Sequence, residues 1–155
     1  MPTFGKKSLE KLNTAHPKIV KVMNEAIKRF DFTVIHGHRT PSEQFELFKQ
    51  GRTLQNGQWV KTGSTVTNLD GINKKSNHNY LPSHAVDIVP YPIDWNNIQR
   101  FKDMAKIVLE EANKLGIKLV WGADWDMDGN IEEHKFKDFP HFELDKSEIQ
   151  DVVWN

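Results

Sequence analysis

Apolar residues recur at intervals of three and four, the spacing of one helix face, in three parts of the chain. The longest series lies between Asp94, the predicted N-cap, and Gly116, the predicted stop. Pro17 suits the first turn of a second helix, and Ser8 is expected to cap a short first one. Each helix is predicted to bury one face. Those faces consist of Leu9 and Leu12, of Val20, Met23, Ile27 and Phe30, and of Ile98, Phe101, Ala105, Val108, Ala112 and Leu115.

Short apolar runs between these helices predict β-strands, at residues 32–39, 84–90, 117–121 and 141–144. After the first run, Thr40-Pro41-Ser42-Glu43 has the spacing of a capping box with Pro at the first helical position, and Gly51 is placed to end that helix. Residues 52–72 are polar and carry three turn signals, at Asn56-Gly57, Thr62-Gly63 and Asp70-Gly71. We expect this polar segment to form a loose ribbon on one rim of a cleft.

Composition narrows the class of protein. The 155 residues suit one domain with one core, and 21 basic against 21 acidic side chains leave no net charge to attract nucleic acid. Because Cys is absent, a metal site would have to use His and carboxylate ligands. The first residues form no apolar leader, and no run approaches about 18 apolar residues. We therefore expect a protein made in the cytoplasm without a signal peptide, with no membrane partner.

One carboxylate stands out because it interrupts an apolar strand. Asp87 lies inside Ala-Val-Asp-Ile-Val, where a buried carboxylate must be hydrogen-bonded, paired or bound to a metal. His84 has the opposite strand parity, whereas His78 lies outside the strand and can fold over Asp87. His141 opens the last strand on the same face as Glu143. Two His and one Asp would form a zinc site with three protein ligands and one open position.

Three short motifs carry a resemblance to a known family. Ser76-x-His78, Ala85-x-Asp87 and Asp138-x-x-His141 resemble the signature of the zinc D-Ala-D-Ala carboxypeptidases and L-alanyl-D-glutamate peptidases, and in particular its phage endolysin branch. The resemblance extends from about Ser8 to Leu144. It departs in one spacing: the family places its His seven residues before the Asp, whereas here nine residue positions separate His78 from Asp87.

The resemblance implies an α+β fold, with a small central antiparallel sheet, helices packed on it and a zinc cleft on the sheet, as in hedgehog and D-Ala-D-Ala peptidase domains. It implies a single peptidase domain over 1–155, with no separate wall-binding domain. It also implies a monomeric, antibacterial endolysin that reaches periplasmic or cell-wall peptidoglycan after release. The implied bond is L-Ala-D-Glu in the stem peptide. The alternatives are a D-Ala-D-Ala carboxypeptidase of the same fold and a non-catalytic zinc-containing peptidoglycan-binding module.

Site roles follow from the same resemblance. His78, Asp87 and His141 would hold Zn²⁺, and Asp138 would move the proton. Arg39, in a Gly-x-Arg-Thr pattern at a strand-to-helix corner, would stabilise the oxyanion. His38, Ser76 and His84 are expected to contact substrate.

The residues themselves leave three alternatives open. His36 and His38 lie two apart on a predicted strand and could form a metal pair with Asp87 as the third ligand. Glu143 is a second candidate for the proton-transferring acid. Asp124, Asp126 and Asp128, followed by Gly129, resemble the first half of a calcium-binding loop. Position 12 of that loop is Lys135, for which Glu132 or Glu133 would have to substitute, so a solvated acidic loop is the other interpretation.

Overall fold

The computed structural model of the chain describes residues 2–128, 130–131 and 137–149. In chain order its helices are α1 (Lys6–Leu12), α2 (Pro17–Ala26), α3 (Pro41–Lys49) and α4 (Ile98–Lys114). Its strands are β1 (Phe32–His36), β2 (Arg52–Gln55), β3 (Gln58–Lys61), β4 (Ala85–Pro90), β5 (Leu119–Trp121) and β6 (His141–Leu144). Single 3-10 turns lie at Asn77–Asn79 and Lys146–Glu148.

A four-stranded antiparallel sheet in the order β1-β4-β6-β5 forms the centre of the protein. Helix α1 contacts β1, α4 contacts β4 and β5, and α2 packs against α4, so that residues of all these elements form one core. Side chains alternate along a strand, so Phe142 and Leu144 of β6 enter the core while His141 and Glu143 take the other face. The predicted α+β architecture is confirmed, and polar groups of β4 and β6 meet on the face opposite the helices.

Two of the predicted helix starts are wrong, because the residues expected to cap them bond elsewhere. Ser8 lies inside α1, where its hydroxyl accepts a hydrogen bond from Val34 N at 3.1 Å. Asp94 Oδ1 accepts from Asn96 N at 3.0 Å and closes a turn before the helix. Asn97 is the actual cap of α4, since its side chain accepts from Arg100 N.

The capping box of α3 is confirmed in both directions. Thr40 Oγ1 accepts from Glu43 N at 3.1 Å, and Glu43 Oε1 accepts from Thr40 N at 3.0 Å. The N-terminus of α3, and with it the neighbouring Arg39, is therefore held in place beside the sheet.

The predicted ribbon consists of the β2–β3 hairpin and the segment after it. Asn56 and Gly57 take positive φ values of 51° and 78°, as a tight hairpin turn requires. Arg52 Nη1 then donates to Phe48 O at 2.7 Å and to Thr67 O at 2.8 Å. The bond to Thr67 O holds the segment 65–69, which lines the cleft as expected, whereas the β2–β3 hairpin contributes no residue to the described lining.

No helix among the described residues is both long and apolar enough to cross a membrane.

Candidate metal centre and catalytic cleft

Strands β4 and β6 bring Asp87 and His141 directly opposite each other in the sheet register. His141 Nδ1 lies 3.2 Å from Asp87 Oδ1, and His78 Nε2 lies 3.4 Å from Asp87 Oδ2. All three side chains are buried, and each offers a ligand atom within 4.8 Å of the other two. Two imidazoles and one carboxylate are the donor set that zinc takes in three-ligand hydrolase sites.

The 3-10 turn at Asn77–Asn79 positions His78. Ser76 Oγ accepts from His78 N at 3.2 Å and caps this turn. His78 Nδ1 donates to the carbonyl of Gly37 at 2.8 Å, so Nε2 is directed toward Asp87. Within the described part of the chain, that buried Nε2 has no hydrogen-bond partner. A buried nitrogen without a hydrogen bond, facing a carboxylate, fits a metal ligand.

The longer spacing between His78 and Asp87 is absorbed by a loop. His84 N donates to Asn77 O at 2.9 Å, which brings the two ends of the segment 77–84 together. The additional residues project between these ends. The three candidate ligands are therefore brought together although His78 and Asp87 are farther apart in sequence than in the family pattern.

His141 is held at both ring nitrogens. Its Nε2 lies 2.8 Å from Glu143 Oε1, and the other oxygen of Glu143 accepts from Asn77 Nδ2 at 2.7 Å. Burial alone would lower the pKa of His141, but the bonds to Asp87 and Glu143 outweigh it and raise this pKa to about 10. Glu143 is thus placed to fix the ring orientation of His141 and to leave Nδ1 as the candidate ligand atom.

Asp87 has two further neighbours. His36 Nδ1 lies 3.1 Å from Asp87 Oδ2, and Arg39 Nη2 lies 3.6 Å from the same oxygen. Burial would raise the pKa of Asp87, but hydrogen bonds from His141 and His36, together with the charge of the nearby His78 imidazole, hold it well below its ordinary value. The carboxylate is therefore ionised, as a metal ligand must be.

The proposed pairing of His36 with His38 on one strand face is not what the structure shows. Strand β1 ends at His36, and a register shift between Val34 and His36 turns His36 toward Asp87. His38 lies beyond the strand, where its backbone N donates to Thr14 Oγ1 at 2.7 Å. His36 thus contacts the candidate ligand Asp87, while His38 is not part of the group formed by His78, Asp87 and His141.

Arg39 and Asp138 lie in the same cleft as the three candidate ligands. Arg39 Nη1 donates to the fully buried Gln44 at 2.8 Å, which holds the guanidinium beside Asp87. Burial lowers the pKa of Arg39, against the opposing effect of Asp87. Burial also raises the pKa of Asp138, a shift that favours proton transfer by a carboxyl group.

Gly122 explains how Asp138 comes so close to His141. Asp138 N donates to Gly122 O at 2.8 Å, and Gly122 N donates to His141 O at 2.7 Å. A Cβ atom on Gly122 would overlap Asp138 O and would lie 3.0 Å from His141 Cβ. Only Gly allows this approach of the two chain segments.

The cleft has a volume of about 750 Å³, within the range of ligand sites. Ser76 lines it, as expected. His38 and His84 lie outside the described lining: His84 is buried and stacks on Tyr80 at a ring-centroid distance of 4.2 Å. Direct substrate contact by these two His therefore has no support from their positions.

Several residues of the cleft were not identified from the sequence. Asn77 contacts Glu143 on a distant strand, and no local pattern indicates that contact. Gln44, in the helix that follows Arg39, holds the Arg39 side chain. Trp95 and Trp125 also line the cleft. The signal that the sequence offers for both is an isolated Trp in a polar loop.

The acidic loop brings Asp124, Asp126 and Asp128 together, with ligand atoms within 4.8 Å of one another. Asp124 is buried and the other two are exposed. Glu132, Glu133 and Lys135, which the calcium prediction also involved, lie outside the described residues. The cluster is compatible with both interpretations of this loop.

The chain is similar to known peptidases over most of its length. Residues 2–145 match the family model described as phage L-alanyl-D-glutamate peptidase. The L-alanyl-D-glutamate peptidase of Escherichia phage T5 is 30% identical over 135 residues, covering 84% of this chain and 86% of the relative. The peptidoglycan L-alanyl-D-glutamate endopeptidase CwlK of Bacillus subtilis is 33% identical over 143 residues, covering 83% and 72%.

A solved structure shares the fold. The crystal structure of the Serratia marcescens L-Ala D-Glu endopeptidase ChiX is similar with a TM-score of 0.65 and 27% identity, covering 93% of this chain and 90% of that one. The chain therefore belongs to the phage L-alanyl-D-glutamate peptidase family.

Proposed function

We propose that this peptidase cuts the bond between L-Ala and D-Glu in the stem peptide of bacterial peptidoglycan, with Zn²⁺ as its metal. The observation that carries the proposal is the buried group of His78, Asp87 and His141 at the bottom of a cleft that also contains Asp138. The relatives that the chain matches are named for action at the same bond.

The donor set determines which metal is expected. With two imidazoles, one carboxylate and no Cys in the chain, a zinc ion fits better than Mg²⁺ or Ca²⁺, which prefer oxygen ligands. When bound there, zinc would polarise the peptide carbonyl and lower the pKa of a coordinated water.

The proton transfers belong to Asp138. As a carboxylate it takes a proton from the attacking water, and as an acid it gives that proton to the amine of the departing D-Glu. Because burial raises its pKa, the protonated form is easier to reach than for an exposed Asp. Arg39 lies on the Asp87 side of the centre and donates to the oxyanion that develops on the L-Ala carbonyl.

Digestion of purified peptidoglycan tests this proposal. We expect fragments with a new free amino terminus on D-Glu, detected by mass analysis after amine labelling, and no such fragments after chelation and dialysis. Addition of zinc should restore them. Release of terminal D-Ala instead would identify a carboxypeptidase, and peptidoglycan binding without any new terminus would identify a non-catalytic module. Undiminished cleavage by a demonstrably metal-free preparation would refute the metal.

Calcium at the acidic loop stays a prediction. Trp125 lies within this loop, and its ring centroid is 5.7 Å from that of His141. Ordering of the loop would therefore change the surroundings of His141. A calcium titration followed by Trp fluorescence, with Asp126→Asn as the control variant, tests it. The absence of a response at millimolar calcium, the range of weak sites, would leave only a solvated acidic loop.

A further inference from the structure

Trp95 is a large aromatic side chain held half in solvent at the edge of the cleft. Its exposed fraction is 54%, although it lines the same cavity as Asp138 and His141. Its ring stacks on Phe101 with centroids 5.9 Å apart and planes 28° apart, and Phe101 is itself buried in the core. The exposed face of Trp95 is therefore a rigid surface, with one side already packed.

The loop that carries Trp95 is fixed as well. Asp94 Oδ1 accepts from Asn96 N at 3.0 Å, so hydrogen bonding closes the chain around Trp95. Phe101 also contacts Phe139 at 6.2 Å, and Phe139 is next to Asp138 in the chain. Trp95 thus belongs to an aromatic row that leads to the proton-transferring carboxyl.

The proposed reaction determines what must lie near the L-Ala residue. In peptidoglycan the amine of L-Ala is joined through a lactyl group to the sugar N-acetylmuramic acid. One residue spans at most about 3.6 Å, so the sugar begins roughly two such lengths from the carbonyl under attack. A bound substrate therefore places a sugar ring within or beside this cleft.

The size of the cleft agrees with a ligand larger than a dipeptide. Its volume of about 750 Å³ lies in the upper part of the range for drug-sized ligands. The same lining includes residues 65–69, where Thr65, Thr67 and Asn68 offer hydroxyl and amide groups. A pyranose ring presents an apolar C–H face and a rim of hydroxyls, which suit a flat aromatic wall and a polar wall respectively.

We infer that Trp95 forms a sugar subsite that binds the N-acetylmuramic acid of the substrate, so that the enzyme prefers stem peptides still attached to glycan. This inference rests on the proposed function, because it places L-Ala at the metal centre. It adds a carbohydrate specificity that the peptide chemistry alone does not require.

Two substrates that differ only in the sugar test the inference. One is muramyl-L-Ala-γ-D-Glu-L-Lys-D-Ala, and the other carries the same tetrapeptide on a lactoyl group. The wild-type enzyme should give a kcat/KM about tenfold higher for the muramyl substrate, as expected for one stacked aromatic contact. Trp95→Ala should remove most of that preference, and Trp95→Phe should retain part of it.

A matched control uses a Trp outside the cleft. Trp59 lies in the β2–β3 hairpin, edge-on to Phe45 at 5.8 Å, and is not part of the described lining. Trp59→Ala should leave the ratio of the two kcat/KM values unchanged. Thermal unfolding of each variant shows whether it is folded, and Trp95→Leu serves if the Ala variant is not.

An unchanged ratio in Trp95→Ala would overturn the inference, and would assign Trp95 to the peptide or to folding. Calorimetry separates this failure from failure of the proposed function. Muramyl-L-Ala should bind the wild type more tightly than lactoyl-L-Ala, and Trp95→Ala should abolish the difference, without any bond being cut. Equal binding of the two ligands by the wild type would refute the sugar subsite even if both tetrapeptides are cleaved.

Discussion

Replacing Glu143 by Gln separates two roles that its position allows. As a positioning group, Glu143 accepts from His141 Nε2 at 2.8 Å and is itself held by Asn77 at 2.7 Å. As a proton-transferring acid, it would compete with Asp138 for that role in the reaction. Gln keeps the shape and one acceptor oxygen but removes the charge. The variant would therefore weaken the positioning of His141 only slightly, whereas it would abolish proton transfer by residue 143.

The expected magnitude follows from the geometry. A hydrogen bond to a charged group contributes about 1.5–3 kcal/mol, and loss of a carboxylate behind a ligating His weakens metal affinity about 10- to 100-fold. The amide oxygen in the Glu143→Gln variant can still accept from His141 Nε2, so the loss of affinity should lie near the lower limit. Glu143→Ala removes the acceptor altogether, so its loss of zinc affinity should lie near the upper limit of about 100-fold, which corresponds to about 2.7 kcal/mol.

Zinc affinity and turnover have to be measured separately. Competition with a chromophoric chelator gives the Kd, and cleavage of a stem peptide at saturating zinc gives kcat. We expect a higher Kd for zinc in both variants. Their kcat should stay within about tenfold of wild type, because saturating zinc fills the centre. An unchanged Kd with a kcat about 10²- to 10⁴-fold lower would refute the positioning role and make Glu143 the acid.

Four further outcomes follow from the same geometry. Asp138→Asn should lower kcat about 10²- to 10⁴-fold with zinc affinity unchanged, and an equally active variant would remove Asp138 from the mechanism. Asp138 must begin as a carboxylate, and burial raises its pKa. Wild-type kcat/KM should therefore fall as the pH is lowered, with a midpoint above the ordinary Asp pKa of about 3.9. A profile that stays flat down to that pH would contradict this expectation. His78→Ala should abolish zinc binding in equilibrium dialysis, whereas His36→Ala should weaken zinc binding no more than about tenfold. The reverse result would favour the alternative metal site at His36 and His38. Gly122→Ala should displace Asp138 and lower kcat, with a loss of about 1–3 kcal/mol in the free energy of unfolding, and an unperturbed enzyme would show that the close approach is unnecessary.

The ligand face of the sheet was predictable because it depends on strand parity. Alternation along β4 and β6 separates Asp87 and His141 from their apolar neighbours, and the structure confirms both orientations. His78 could be favoured over His84 for the same reason. The alternation of side chains along a strand can be predicted from the sequence without knowledge of the tertiary structure.

The contacts around that face were not predictable. The bulge that turns His36 toward Asp87 depends on how β1 pairs with β4, and nothing within 32–39 indicates it. Asn77 and Glu143 are 66 positions apart, and their hydrogen bond exists only after the sheet has formed. Ser8 has the residue type of a cap, but a hydrogen bond to Val34 uses its hydroxyl instead.

The location and number of bound zinc ions test the central claim most directly. A crystal of the zinc-loaded protein, measured at the zinc absorption edge, should show one anomalous peak at about 2.0–2.2 Å from His78 Nε2, Asp87 and His141 Nδ1. A peak bound by His36 and His38, or no peak in a crystal of active enzyme, would contradict the account.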